Sequence, residues 1–443
     1  MKDFRIISYN ILNDVFITKR WAEESIEDNL QEIDSSHADI KKVYELIYGI
    51  LRNKNFIDFH LGRFIKKPVK DVKLFNILRI GYYQLKYMKS IPPYAAINVC
   101  VELAKTSVHP GVSGFVNAVL RNVSRSRETN VKIPDGDRVE HLSIKYSYEP
   151  WMVGFLQKNY PDEMENIMKA GNEKPPLFLK VNDLKTNAEE LINELKKRGI
   201  ESERVHKING ALLVKKGNAL NTELFEKGYF YVQDVSSQCM GLLVEAKKDE
   251  AIIDVGSAPG GKCAFFSISM KNNGQIVSIE SKKERIKMME RNFLRLGINN
   301  VRILEHDATV DIPEFHDKAD KIVFDAPCSA MGVIRRHPEK KWCLNEKELK
   351  EFPELQAKIL NTVKNWVKKG GFIFYSTCTL NPGENENLIE KFLKKNENFK
   401  IEDIKEIAAF KLTQFKRGRF FQSLPGNDLN MDGFFIAKLK RIK

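Results

Sequence analysis

Cys328 and Cys378 each follow a short strand candidate and sit among polar residues. Lys321 to Phe324 leads into Asp325-Ala326-Pro327-Cys328-Ser329, and Phe372 to Tyr375 leads into Ser376-Thr377-Cys378-Thr379. A single cysteine is usually a small, inert hydrophobe. Two in polar loops at strand ends point instead to thiolate chemistry, in which sulfur forms a covalent intermediate and an acid such as Asp325 assists. A third constellation is Asp254-Val255-Gly256-Ser257-Ala258-Pro259-Gly260-Gly261-Lys262, a glycine-rich turn between a strand and a helix. Glycines let a backbone approach a ligand closely, and a helix start offers unpaired N–H groups. Twenty positions beyond Gly260 (280 − 260 = 20), Glu280 ends the next strand candidate. An acid there accepts hydrogen bonds from ribose hydroxyls, so turn and acid together indicate a nucleoside-containing cofactor. The turn departs from G-x-x-x-x-G-K-[ST], which argues against a P-loop.

These residues need a scaffold that gathers them. From residue 250 the chain alternates strand candidates (Ala251 to Gly256, Gln275 to Glu280, Asn300 to Leu304, Asp320 to Asp325, Gly371 to Ser376) with helical stretches. That alternation predicts a doubly wound, mostly parallel α/β sheet. Ligands bind such sheets at the carboxyl ends of the strands, where both cysteines, Asp325 and the glycine turn fall. Upstream, Leu177 to Val181 and Gly210 to Val214 are strand candidates flanking an amphipathic helix over Ala188 to Arg198, a small α+β module. Residues 1 to about 125 show only helical periodicity, for example Leu74, Ile77, Leu78, Gly81, Leu85 and Met88, and 126 to about 140 are polar and linker-like. The domain expectation is therefore 1–138 helical, 139–245 linker plus α+β module, and 246–443 catalytic.

The 443 residues carry a net charge of +13, with 42% hydrophobic and 30% charged side chains, which suits a soluble chain with a polyanionic partner. The six cysteines are dispersed, without CxxC or zinc spacing, so neither a disulfide framework nor a metal site is expected. No apolar run approaches the roughly 18 residues of a membrane span, and the N-terminus does not resemble a signal peptide. A cytoplasmic, monomeric protein with no membrane association is expected.

Three of these stretches resemble the signature motifs of the RNA cytosine-5 methyltransferases: Ala258-Pro259-Gly260-Gly261-Lys262, Asp325 to Gly332, and Ser376-Thr377-Cys378. Gly332 to Glu339 and Trp342 resemble the bacterial Sun/Fmu-type branch, which acts on 16S rRNA. Leu78 to Leu85 and Phe115 to Arg121 resemble the NusB fold. The resemblance spans nearly the whole chain. It implies a NusB-like all-α RNA-binding domain, the α+β module, and a Rossmann-like class I methyltransferase domain using S-adenosyl-L-methionine. By the same resemblance Cys378 is the nucleophile, Cys328 acts in product release, and Asp325 lies between cofactor and base. Gly256, Ser257, Ala258, Pro259, Gly260, Gly261 and Lys262 hold the methionine part of the cofactor, Glu280 its ribose and Asp307 its adenine side. The chain departs from the family in having Gly256-Ser257 for Cys-Ala, and Glu280 for a more usual Asp.

The chemistry fits. Carbon 5 of cytosine is a poor nucleophile until a thiolate adds to carbon 6 and makes the ring enamine-like. Competing readings are a cytosine in tRNA or another rRNA site, a non-catalytic RNA-binding ribosome-assembly factor, and an amino-methyltransferase. Cys328 and Cys378 argue against the assembly factor. The last usually carries Pro-Pro-aromatic where Pro327 is followed by Cys328. Arg335, Arg336 and His337 are either a solvated loop or a phosphate contact.

Overall fold

The computed structural model describes residues 3–31, 37–126, 131–206, 208–404 and 415–443, so part of the linker-like stretch 126–140 lies outside it. The chain divides into two compact units, one formed by 1–174 with 334–345, the other by 175–333 with 346–443.

The first unit is helical. Its long helices include Phe4–Ile17, His37–Gly62, Val72–Tyr87, Pro93–Ser107 and Ser113–Arg125, followed by shorter ones at Arg138–Tyr146, Pro150–Asn159 and Met164–Asn172. Each starts where local chemistry allows. Asp71 caps Val72–Tyr87 by accepting the N–H groups of Lys73 and Leu74, and Pro93 supplies the fixed φ of a first helical residue. Apolar stripes converge on a core containing Leu12, Ile47, Ile50, Leu78 and Leu120. Trp342, far along the sequence, belongs to the same core and donates its indole N–H to the Leu51 carbonyl at 2.8 Å. The basic stretch beginning at Arg335 is thus not a solvated loop throughout: Arg335 is 1% exposed and Lys341 is fully buried.

The second unit holds two sheets. Strands β1 (Leu177–Val181), β2 (Glu201–Arg204), β3 (Ala211–Lys216) and β4 (Phe230–Val232) form an antiparallel sheet in the order β2-β3-β1-β4. The helix Ala188–Lys197, capped by Asn187, packs on it through Leu191 and Leu195. Then follow β5 (Ala251–Val255), β6 (Gln275–Glu280), β7 (Val301–Glu305), β8 (Ala319–Asp325), β9 (Val367–Thr377), β10 (Phe399–Glu402), β11 (Lys416–Arg417), β12 (Phe420–Ser423) and β13 (Phe434–Arg441). They build a mixed sheet ordered β11-β12-β13-β9-β8-β5-β6-β7, with β10 paired to β13. β7, β6, β5, β8 and β9 run parallel, and β13 lies antiparallel to β9 with Phe435 opposite Thr377. The central strands β5 and β8 are largely buried, which is why they read as mainly apolar runs, whereas the edge strand β7 is not. Among the described residues no helix is long and apolar enough to cross a membrane.

Candidate active site

β5 leads into the glycine turn. Gly256 has φ +73°, and a Cβ there would lie 2.6 Å from the Asp325 carbonyl oxygen, so only glycine lets the turn press against the end of β8. Gly260 precedes the helix Gly261–Ser269. The Ser257 hydroxyl bonds that of Ser278 on β6, and the Ser257 carbonyl accepts the Gly260 N–H at 2.7 Å. Lys262 donates to Asp325 Oδ2 at 2.6 Å, and Ser376 Oγ donates to Asp325 Oδ1 at 3.0 Å, so both oxygens of this carboxylate are oriented. Burial opposes the Lys262 charge, but Asp325, with Asp254 and Cys378 nearby, outweighs it and raises the ammonium pKa. Asp254, fully buried at the end of β5, is pushed up to about 7 by loss of water, against a hydrogen bond from Cys263. Its Oδ1 meets no donor among the described residues.

Glu280, at the end of β6, is buried, and its Oε1 accepts the N–H groups of Ser281 and Lys282 at 2.9 and 3.1 Å. Asp307 follows the neighbouring β7 and is exposed. The N–H of Thr309 bonds its Oδ1 at 2.9 Å and helps hold its pKa below the usual range. The glycine turn and these two carboxylates occupy one sheet edge, and acceptors of this kind match the hydroxyl and amino donors of an adenosine.

At the same edge, Cys328 Sγ and Cys378 Sγ lie 3.0 Å apart, both half-buried. Backbone contacts help to set this approach. The Gly332 N–H bonds the Cys378 carbonyl at 2.9 Å, and a Cβ on Gly332 would lie 2.5 Å from the Gly433 carbonyl oxygen. The hydrogen bond to Cys378, burial, and the negative charge of Cys378 and Glu384 raise the Cys328 thiol well above its ordinary value. These influences favour the neutral thiol at Cys328, and the sulfur–sulfur contact lets one thiol donate to the other. Such a pair can attack an electrophilic carbon through one sulfur while the other supports it as a leaving group.

The sequence analysis did not single out the polar cluster behind the cysteines. Ser329, Thr379 and Glu384 are all buried and joined through Ser329, whose Oγ lies 2.5 Å from Glu384 Oε1 and 2.6 Å from Thr379 Oγ1. Its only sequence signal is the run Asn381-Pro382-Gly383-Glu384-Asn385, which reads as an ordinary polar turn.

Three family profiles match the chain: 16S rRNA methyltransferase RsmB/F over residues 241–440, the NusB family over 2–125, and the RsmF/B-like methyltransferase ferredoxin-like domain over 148–221. The chain is 34% identical over 402 residues to the probable ribosomal RNA small subunit methyltransferase B of Bacillus subtilis (strain 168), covering 90% of this chain and 89% of the relative. The crystal structure of PH0851 superposes with a TM-score of 0.82 over 99% of each chain at 24% identity, a likeness of fold. NSun6 from Pyrococcus horikoshii, solved with SFG, matches with a TM-score of 0.58 at 26% identity, covering 66% of this chain and 97% of that one.

Proposed function

We propose, starting from the fact that this chain belongs to the RsmB/F family of 16S rRNA methyltransferases, that it methylates carbon 5 of a cytosine in 16S rRNA through a covalent bond from Cys378 to carbon 6 of the base. The helical N-terminal region has the NusB fold, the four-stranded module is ferredoxin-like, and the mixed sheet carries the methyltransferase fold. S-adenosyl-L-methionine, when bound, supplies a methyl group made electrophilic by its sulfonium. The glycine turn from Gly256 to Lys262, with Glu280 and Asp307, holds it by the fit described above.

The observation that carries the covalent step is the 3.0 Å contact between Cys328 and Cys378 beside the Asp325–Lys262 pair. Cys378 adds to carbon 6, and the carbon 5–carbon 6 π electrons become available at carbon 5. After methylation the carbon 5 proton goes to a base, the sulfur–carbon bond breaks, and its electron pair returns to Cys378. The Cys328 thiol, hydrogen-bonded to that sulfur, stabilises the departing thiolate. Asp325, oriented by Lys262 and Ser376, faces the polar edge of the base. A stacked cytosine hides carbon 6, so the base is presented unstacked.

The test uses a 16S rRNA fragment carrying 5-fluorocytosine, which blocks loss of the carbon 5 substituent. A denaturant-stable protein–RNA adduct mapped to the Cys378 peptide is expected. Methylated product on unmodified RNA with no adduct on the fluorinated one would overturn the covalent reading, and a methyl group found on a nitrogen would overturn the target atom.

A further inference from the structure

Glu384 is fully buried, yet all four of its hydrogen-bond partners are donors. Oε1 accepts from Ser329 Oγ at 2.5 Å and Asn381 Nδ2 at 3.0 Å, and Oε2 accepts from the Ser329 N–H at 3.0 Å and Gln356 Nε2 at 2.9 Å. Three of the four are N–H groups that can only donate, and the fourth, the Ser329 hydroxyl, donates as well when the carboxyl is ionised, so the set fits the carboxylate, although burial works against the charge. The carboxylate in turn fixes the direction of a hydroxyl chain. Ser329 donates to Glu384, so Ser329 Oγ must accept from Thr379 Oγ1 at 2.6 Å, and Thr379 Oγ1 itself accepts the Asn381 N–H at 3.3 Å. Ser329 directly follows Cys328, and Thr379 directly follows Cys378. The two cysteine loops are thus tied to each other through one buried charge. Asn385 adds a second tie on the Cys378 side, accepting from Thr377 Oγ1 and donating to the Thr379 carbonyl.

We propose that Glu384 is a positioning residue for the methyl transfer: its carboxylate, acting through Ser329 and Thr379, clamps the two cysteine loops so that Cys328 and Cys378 meet sulfur to sulfur. The proposal rests on the covalent reading for its catalytic meaning, while the clamp itself is a property of the resting protein. The negative charge also raises the Cys328 thiol, which favours its neutral form.

The experiment uses the full-length chain with Glu384→Gln, which keeps the shape and removes the charge, and Ser329→Ala, which breaks the hydroxyl link and leaves the carboxylate. The first readout is geometric and needs no RNA. Diamide takes up two hydrogens as Cys328 and Cys378 join in a disulfide, and mass spectrometry of quenched samples gives the rate. Displacement of a sulfur by about 1 Å can cost on the order of 100-fold in a positioned reaction, so both variants should form this disulfide at least about tenfold more slowly. The second readout is turnover on a 16S rRNA fragment: kcat should fall on the order of 100-fold, while KM and cofactor affinity stay within about twofold of wild type. Retained cofactor affinity also certifies the fold, and should Glu384→Gln fail to fold, Ser329→Ala carries the test alone. An unchanged disulfide rate overturns the clamp whatever happens to kcat. Slowed disulfide formation together with no adduct from wild-type enzyme on 5-fluorocytosine RNA supports the clamp and overturns the covalent reading instead.

Discussion

Glu384 in the sheet unit and Lys341 in the helical unit are both buried charges, held in opposite ways. Glu384 receives four donors, one of them a backbone N–H: two from Ser329 and one from Asn381 in the loops that carry the cysteines, and one from Gln356 on the helix Glu348–Val363. Among the described residues Lys341 meets no carboxylate. Its ammonium donates to the Arg52 carbonyl at 3.0 Å and to Asn172 Oδ1 at 2.8 Å, and lies 4.7 Å from the Tyr148 ring centroid and 5.3 Å from that of Trp342. Burial, with Arg52 and Lys54 nearby, drives its pKa well below the ordinary lysine range. The first charge is satisfied and serves geometry at a reactive edge. The second has two neutral acceptors and two aromatic faces in place of a counter-ion, in a segment, Ile334–Asn345, that belongs to the helical unit. The contrast predicts that substitutions at the reactive edge change chemistry with little effect on stability, and that those around Lys341 do the reverse.

The largest effect is expected at the cysteines. Cys378→Ser should reduce methylation by more than about a thousandfold, as loss of a covalent nucleophile does, and form no RNA adduct, with an unchanged melting temperature. Cys328→Ala should instead accumulate the adduct, because the leaving sulfur loses its hydrogen-bond donor. The converse pattern on denaturing gels would exchange the two roles.

Next is Trp342→Ala. Emptying this core position should cost about 3–5 kcal/mol in denaturant unfolding, while leaving cofactor affinity intact. A loss below about 1 kcal/mol would mean that the returning segment contributes little to the helical core.

Glu280→Ala should weaken S-adenosyl-L-methionine binding by about 1–3 kcal/mol through lost charge-assisted hydrogen bonds, read by titration calorimetry. Unchanged affinity would remove this carboxylate from the site.

The smallest change in stability, and the sharpest test of the contrast, is Lys341→Met. Replacing a poorly compensated buried ammonium by an apolar chain of similar length should alter stability at neutral pH by no more than about 1–2 kcal/mol, in either direction. The pH dependence carries the sign. Between its depressed folded pKa and the ordinary lysine range, the unfolded chain binds more protons at this residue, so wild-type stability gains a rising slope with pH there. The variant should lose that contribution in melting temperatures taken from pH 7 to 10. An identical slope in both proteins would show that Lys341 does not titrate differently on folding.

Much of the sheet unit was legible because its signals are local. β1 and β6 were read with their observed bounds, and the glycine turn and Asp325-Ala326-Pro327-Cys328 declare themselves within a few residues. The exposed edge strand Glu201–Arg204 was not, since a strand with little burial shows no apolar pattern. β13 was missed because its place depends on a partner: it pairs with β9, more than fifty residues away.

The sequence by itself determined the kinds of group available, the parallel order of the central strands and the family, all carried by short motifs and by period. Tertiary structure decided which groups meet. The strand pattern brings Cys328 and Cys378, fifty positions apart, to one sheet edge, but that their sulfurs touch, and that Leu51 meets Trp342 291 positions on, follows only from folding. A buried polar group must find its partner wherever folding brings one, so the ties from Glu384 to the cysteine loops and from Lys341 to the helices exist only in three dimensions.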